Sequence, residues 1–267
     1  MVNNISRYLK IWFKMAGVSM QLETEYRSSF ILEILVEIGF FVVTLINIAV
    51  IYSNVPLVVG WTKWEAMILM GMYMVFSEIV LGLAFIFNLR TLPDKITKGD
   101  LDLILLKPID SQFQVSLWRP YFASFPSLLS GIVVIFVGFA QSQIRFNIIQ
   151  FLTFILIFLC GLLIAYSLGI IISSLVFWFI NADSLPDLAE EVIFLSGRPS
   201  GVFPGFWRYL FLLIIPVIIM VSLPVEVLTG KQSVLWLPFA VIMAAIFLFL
   251  SRRFWLFALR HYSSASS

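Results

Sequence analysis

The side chains best suited to chemistry are a few carboxylates that lie within long apolar runs. Glu78 sits near the middle of the run 64–87, and Glu33 and Glu37 lie in an earlier one. A carboxyl group inside a membrane can carry a proton or bind an ion, so Glu78 is a candidate ion-coupling residue. No second carboxylate or basic residue lies at a similar depth in the sequence. A packing or cavity-lining role is therefore the favoured interpretation of Glu78, with proton relay as the alternative.

Other catalytic patterns are missing from the sequence. Gly230-Lys231 is followed by Gln232 and lacks the earlier glycine of a phosphate-binding loop. His261 is the only histidine, which excludes histidine-pair zinc motifs and histidine-based triads. No segment between apolar runs exceeds about thirty residues, too few for a nucleotide-binding domain. We predict no catalytic residue, metal site or bound cofactor in this chain, and no nucleic-acid partner.

The composition is that of an integral membrane protein. The 267 residues are 61% hydrophobic and 12% charged, whereas soluble domains are about 25% charged. Runs of about twenty apolar residues are long enough to cross roughly 30 Å of hydrocarbon. We predict an all-α protein with a single transmembrane domain (1–267) of six transmembrane helices. The predicted spans are 30–52, 64–87, 120–140, 148–178, a broken span from about 206, and 235–250.

Several features modify this basic plan. Residues 1–28 mix aromatic and basic side chains, which predicts an amphipathic helix at the membrane interface. Thr44 and Asn47 continue the polar stripe of Glu33 and Glu37 on the first span, so this stripe should face protein or water. Pro216 and Pro224 interrupt the fifth span, and we predict a re-entrant or external segment at 223–234. Glu78, Thr44, Asn47, Pro216 and Pro224 are therefore candidates for a transport path.

Two polar segments, 88–119 and 181–205, separate the spans. In the first, Thr91 can cap a short helix that Gly99 ends, and Asp100 can cap a second one that stops before Pro108. The two helices would form an amphipathic surface suited to a soluble partner. The candidate contact residues are Asp94, Lys95, Ile96, Gly99, Asp100, Leu101, Asp102, Ile104, Leu105, Lys107 and Pro108.

The basic residues predict the orientation. With the N-terminus inside, the internal segments carry fourteen Lys and Arg residues and the external ones carry three, Lys63, Arg145 and Lys231. Cytoplasmic loops carry the excess of basic residues in membrane proteins. Both termini and both polar segments are therefore predicted to be cytoplasmic.

Several stretches together resemble a known family. They are Thr24-Glu-Tyr-Arg27, Gly60-Trp-Thr-Lys-Trp-Glu65, Ile96-Thr-Lys-Gly-Asp-Leu-Asp-Leu-Ile-Leu-Leu-Lys-Pro108, Arg198-Pro-Ser-Gly-Val-Phe203, Ile215-Pro216 with Leu223-Pro224 and Gly230, and an ending with Phe254-Trp255, Arg260, Tyr262 and Ser263-Ser-Ala-Ser266. In these features the chain resembles permease subunits of type-2 ATP-binding-cassette (ABC-2) exporters, in particular the daunorubicin-resistance-like branch. Glu78 matches no motif of that family.

The resemblance implies a coupling helix after span two, re-entrant helices between spans five and six, and a bacterial cytoplasmic membrane location. It also implies a partnership of two permeases, identical or paralogous, with two copies of a cytoplasmic ATPase that holds ATP and magnesium. The expected cargo is hydrophobic, amphipathic or lipid-linked. The competing hypotheses are a secondary transporter or channel driven by an ion gradient through Glu78, and a membrane scaffold without transport.

Overall fold

The computed structural model describes residues 2–25, 27–122, 125–145, 147–179 and 185–262. The named elements within these ranges are all helical. They are α1 (Val2–Glu25), α2 (Arg27–Asn54), α3 (Lys63–Glu78) with a π-helical turn (Ile79–Ala84), α4 (Ile86–Leu89), α5 (Leu92–Thr97), α6 (Asp100–Leu105), α7 (Ser111–Leu117), α8 (Phe125–Gln141), α9 (Ile148–Ser174), α10 (Leu185–Leu195), α11 (Phe206–Tyr209), α12 (Val217–Met220), α13 (Ser222–Leu228) and α14 (Leu237–Leu259).

The described helices include four that are long and apolar enough to cross a membrane. They cover Ile34–Asn54, Lys63–Thr97, Ile148–Phe177 and Val234–Leu259, and α8 is a shorter apolar helix. These five correspond to predicted spans one, two, four, six and three. The predicted fifth span is not one long helix, because the chain from Phe206 to Leu228 is divided among α11, a π-helical turn, α12 and α13.

Side-chain caps fix where two of the long helices begin. Thr62 accepts a hydrogen bond from the Glu65 backbone, and the Glu65 carboxylate accepts one of 2.8 Å from the Thr62 backbone. This reciprocal capping box starts α3 one residue before the predicted span. The Asn147 side chain caps α9 by accepting a hydrogen bond from the Ile149 backbone at 2.9 Å.

Glycines let the central helices approach one another closely. A Cβ added at Gly71 of α3 would lie 2.8 Å from the Gly131 carbonyl oxygen of α8. A Cβ at Gly161 of α9 would lie 2.7 Å from the carbonyl oxygen of Met220. Gly161, Gly169, Ala165 and Ser173, the row of small residues on α9, are all buried. The row thus serves packing within one subunit, as its spacing indicates.

The second polar segment packs beside α3 and α4. Its beginning contacts Arg90 through Asp187, at 3.3 Å. Farther along, the ring centroids of Phe194 and Tyr73 are 6.2 Å apart. At its far end the Gly201 backbone touches Val59, since an added Cβ would lie 2.6 Å from Val59 Cγ1. Residues 185–202 therefore run antiparallel to α3, from the end of α4 to the loop that precedes α3.

The proline-broken stretch folds back on itself. The chain before this stretch ends with Gly201 beside Val59, in the loop that precedes α3, and Met220 then packs against Gly161, midway along α9. The stretch ends at Lys231, whose ammonium lies 3.0 Å from the Glu65 carboxylate, again at the start of α3. All residues from Val217 to Leu228 are buried, as broken backbone inside a membrane requires. The reversal spans about 206–231 and so begins earlier than the predicted segment 223–234.

Candidate coupling site and transport path

The first polar segment contains the two short helices that the sequence predicts, α5 and α6, joined at Gly99. Gly99 adopts φ 76°, a left-handed conformation that glycine allows without a steric penalty. Gly99 ends α5 as predicted, but neither Thr91 nor Asp100 provides the predicted side-chain cap. The Thr91 hydroxyl donates to the Asn88 carbonyl at 2.7 Å, because Thr91 is itself helical and turns its side chain back on the preceding turn. Asp100 is the first residue of α6, so the N-cap position is occupied by Gly99.

Burial divides the leucines of α6 into two groups. Leu101 is fully buried, and Ile104 packs against the core from the same helix face. Leu103, Leu105 and Leu106 are 61%, 41% and 82% exposed. We call these three residues the leucine edge. Leu101, expected to be a contact residue, is instead part of the core that supports the edge.

The other predicted contact residues surround the leucine edge or support it. Asp94 forms an exposed ion pair of 3.3 Å with Lys98, and the Lys107 ammonium lies 5.5 Å from the Trp118 ring centroid. Ile96 packs partly against the core. Among the rest, Asp100 and Pro108 are exposed, while Lys95 and Asp102 are half-buried. The leucine edge thus has a polar rim.

One side of this segment is fixed to the C-terminal part of α14. The Arg252 guanidinium lies 2.6 Å from the Asp110 carboxylate and donates to Gln112 at 3.0 Å. The Trp255 indole donates to the Ser111 hydroxyl at 3.2 Å. Asp110 also caps α7 by accepting from a backbone N–H at 3.1 Å. These contacts fix the residues at the start of α7 to α14.

The same segment is also bound to α1, α4 and α10. Arg7 donates to the Pro108 carbonyl at 3.1 Å, and the Tyr8 hydroxyl accepts from the Asp110 backbone at 3.0 Å. The Asn88 side chain exchanges two hydrogen bonds with the Arg119 backbone, at 2.9 and 3.0 Å. Arg90 pairs with Glu190 on α10, besides Asp187. Four helices, α1, α4, α10 and α14, thus hold the first polar segment.

Glu78, the most prominent carboxylate in the sequence, is the last residue of α3. It is half-buried and immediately precedes the π-helical turn Ile79–Ala84. Such turns occur often at functional sites, where one extra residue bulges from the helix. The Tyr121 backbone N–H donates to the Gly82 carbonyl at 3.1 Å. This bond gives a carbonyl of the π-helical turn a partner outside the turn.

The other candidate path residues are dispersed. Pro216 and Pro224 are buried in the folded-back stretch. Thr44 and Asn47 lie on α2, whose apolar window has no buried residue. Asn47 is exposed and donates to the Val43 carbonyl of its own helix at 2.9 Å. Asn47 therefore lies on the outside of this chain, whereas Thr44 and Glu37 are half-buried. The side chain of Glu33 lies outside the described side chains.

Sequence reasoning missed a buried polar cluster at Glu226. Its carboxylate is 4% exposed and accepts hydrogen bonds from the hydroxyls of Ser200 and Ser222, the latter at 3.1 Å. Ser222 and Glu226 are one helical turn apart, a spacing that the sequence does show. The contribution of Ser200 could not be read from the sequence, because it comes from 26 residues away.

Two further features were also missed. Leu103 and Leu106 were absent from the candidate list, although their spacing of three places them on one helical face. Lys231 connects the end of the folded-back stretch to the loop before α3. Its ammonium pairs with Glu65 at 3.0 Å and donates to the Gly60 carbonyl at 2.9 Å.

The described residues contain no group of three or more His, Cys, Asp or Glu side chains that could hold a metal ion. Apolar membrane-length helices define this chain as a multi-pass membrane protein. The chain belongs to the ABC-2 transporter family, since the family model described as "ABC-2 family transporter protein" matches residues 38–266. It is therefore a permease of the ABC transporter class. No curated protein and no solved structure matches it.

Proposed function

We propose that this chain is the transmembrane subunit of an ATP-driven exporter and that the leucine edge is the docking surface for a separate cytoplasmic ATPase. The observation that carries this proposal is the exposure of Leu103 and Leu105 on α6 and of Leu106 directly after it, on a helix that the fully buried Leu101 fixes to the core. Exposed apolar side chains with a polar rim are typical of a protein–protein contact. Membership in the ABC-2 family supports an ATPase as that partner.

The anchors around the leucine edge supply the coupling mechanism. A push on α6 acts on Leu101, which is fully buried, so the force reaches the helix bundle instead of bending a loose loop. The Arg252–Asp110 pair carries the movement to α14, and the contacts of Arg90 carry it to α10. ATP binding and release by the partner would thereby alternate the access of a transport path.

The contacts between segments support six membrane crossings with both termini in the cytoplasm. In this arrangement α10 and its extension to residue 202 form the fifth crossing, and the stretch 206–231 is the re-entrant segment. Arg198 and Arg208 then lie on the outer side, so the count of Lys and Arg changes from fourteen inside and three outside to twelve inside and five outside. The remaining bias favours a cytoplasmic location for Arg90, Asp110 and Arg252. Such a protein fits the cytoplasmic membrane of a bacterium.

A complete transporter on this plan contains two permeases and two ATPases. The peripheral helix α2 supports a second permease, identical or paralogous, because its polar residue Asn47 is uncovered by the rest of this chain. Polar side chains at membrane depth usually face protein or water. A cargo that is hydrophobic, amphipathic or lipid-linked suits walls built mainly of apolar residues. An ion-driven transporter through Glu78 is not favoured by family membership.

The docking proposal is tested with paired substitutions at equally exposed leucines. Leu106 is 82% exposed at the leucine edge and Leu235 is 80% exposed at the opposite end of the protein. Each permease variant is expressed in the native host and purified in mild detergent, and the cassette ATPase that co-purifies with it is quantified. Leu106→Asp should reduce the retained ATPase about tenfold or more, because a charge enters an apolar contact. Leu235→Asp should leave the ATPase bound.

The opposite results would contradict the proposal. Full retention of the ATPase by a Leu103→Asp/Leu106→Asp double variant would exclude the leucine edge as the docking surface. Equal loss with Leu235→Asp would show that the effect arises from general damage to the permease. Size-exclusion profiles of all variants check that each one is folded.

A further inference from the structure

We propose that Arg7, Lys10 and Lys14 on α1 form a binding site for the phosphate group of an anionic phospholipid. The three residues lie at positions i, i+3 and i+7, which places them within about 60° of one another around the helix. All three are exposed. The residues between 2 and 22 include no Asp or Glu, so no acidic side chain of this part of α1 competes for these cations.

The cations border a shallow cleft large enough for a lipid headgroup. The cleft has a volume of ≈ 600 Å³ and is lined by Ser6, Arg7, Lys10, Ile11, Phe13 and Lys14. The Ser6 hydroxyl adds a neutral hydrogen-bond donor to the three positive charges. Ile11 and Phe13 form the apolar walls of the cleft. A phospholipid headgroup complements this cleft, because its phosphate oxygens carry the opposite charge and its glycerol carbons can contact the apolar walls.

The orientation of α1 favours a membrane lipid over a soluble anion. Leu9 and Phe13 are 53% and 67% exposed and form an apolar stripe beside the cations. Ala16 and Ser19 are buried, so a third face packs on the protein. A helix with one face on the protein, one apolar face uncovered and one basic face lies naturally at the headgroup level. There the leucine and phenylalanine reach acyl chains while the cations reach phosphates.

Arg7 is already held in place by the protein. Its guanidinium donates to the Pro108 carbonyl at 3.1 Å, which uses only part of its donor capacity. The neighbouring carboxylate, Asp110, is paired with Arg252 at 2.6 Å and so is neutralised. The three cations therefore present net positive charge to a ligand, with one of them positioned in advance.

The test measures lipid binding by the purified permease alone, without an ATPase, so its result is independent of the proposed function. The protein is delipidated in neutral detergent, and binding of phosphatidylglycerol is compared with that of phosphatidylcholine of the same acyl chains, by native mass spectrometry. Lys10→Gln/Lys14→Gln should weaken phosphatidylglycerol binding about tenfold or more. Phosphatidylcholine binding should not change.

A charge-matched control separates a site from general attraction. Lys63→Gln/Arg145→Gln removes the same two charges at the opposite end of the protein and should leave phosphatidylglycerol affinity unchanged. Wild-type affinity in the Lys10→Gln/Lys14→Gln variant would overturn the proposal, as would an equal loss in the control. Displacement of the lipid by equimolar glycerol 3-phosphate would also overturn it, because the site would then recognise a free phosphate.

Discussion

The carboxylate of Glu226 accepts a hydrogen bond from the hydroxyl of Ser200, which joins the end of the α10 segment to the folded-back stretch. The Ser200 backbone donates to the Ser222 hydroxyl at 2.9 Å, so the same contact is made twice. Both serines and Glu226 are buried. These bonds hold together two segments whose course the sequence alone does not reveal.

Removing the acceptor at Glu226 should destabilise the protein. Glu226→Leu puts an apolar side chain of similar size in place of the carboxylate and leaves the hydroxyls of Ser200 and Ser222 without their acceptor, at a cost of about 1–3 kcal/mol. Glu226→Gln keeps an acceptor oxygen and should lose much less. Thermal unfolding in detergent measures both variants. Equal stability of the Leu and Gln variants would show that the hydrogen bonds contribute nothing.

The close approach of α9 and α12 predicts the effect of a single methyl group. Gly161→Ala would place a Cβ 2.8 Å from the Cα of Met220, and this neighbour is backbone that cannot rotate away. We expect a loss of about 1–3 kcal/mol in the free energy of unfolding. Gly39→Ala on α2 is the matched control, because an added Cβ there meets nothing within 4 Å. Denaturant titration compares the two, and equal stability would contradict the packing at Gly161.

The proposed fifth crossing is tested by chemical labelling in intact cells. Val202 is 40% exposed at the end of the segment that starts beside Arg90. Val202→Cys should react with a membrane-impermeant thiol reagent from outside, as should Ser53→Cys, whereas Leu106→Cys should not. The single native cysteine, Cys160, is buried and gives little background. If Val202→Cys is protected while Ser53→Cys is labelled, the proposed fifth crossing is wrong and residues 181–205 form a cytoplasmic loop.

Glu78 distinguishes ATP-driven from ion-driven transport. Glu78→Gln keeps the size of the side chain and most of its hydrogen bonding but cannot release a proton. We expect the variant to retain most export, measured as efflux of a lipophilic probe that the wild type exports into inverted vesicles supplied with ATP. Export should also survive an uncoupler. A dead Glu78→Gln variant, with wild-type export that stops on uncoupling, would favour a proton-driven mechanism.

Much of the local structure follows from the sequence because its causes are local. The apolar runs predict the four membrane-length helices and the shorter apolar helix α8. Gly99 marks the break between α5 and α6. The small residues of α9 predict a tightly packed face, and Pro216 predicts interrupted helix. The resemblance to ABC-2 permeases also comes from short stretches of residues, and the family match over residues 38–266 confirms it.

The tertiary structure decided what depends on distant residues. Leu101 and Leu103 have the same side chain two positions apart, and only packing shows that one is buried and the other exposed. The sequence shows a polar segment at 181–205, and only its contacts with Arg90, Tyr73 and Val59 reveal that residues 185–202 run along the whole of α3. Glu226 gained its partners only when Ser200 was brought beside it. In each case the outcome depends on a partner far away in the chain, and a sequence pattern carries no information about which segments meet.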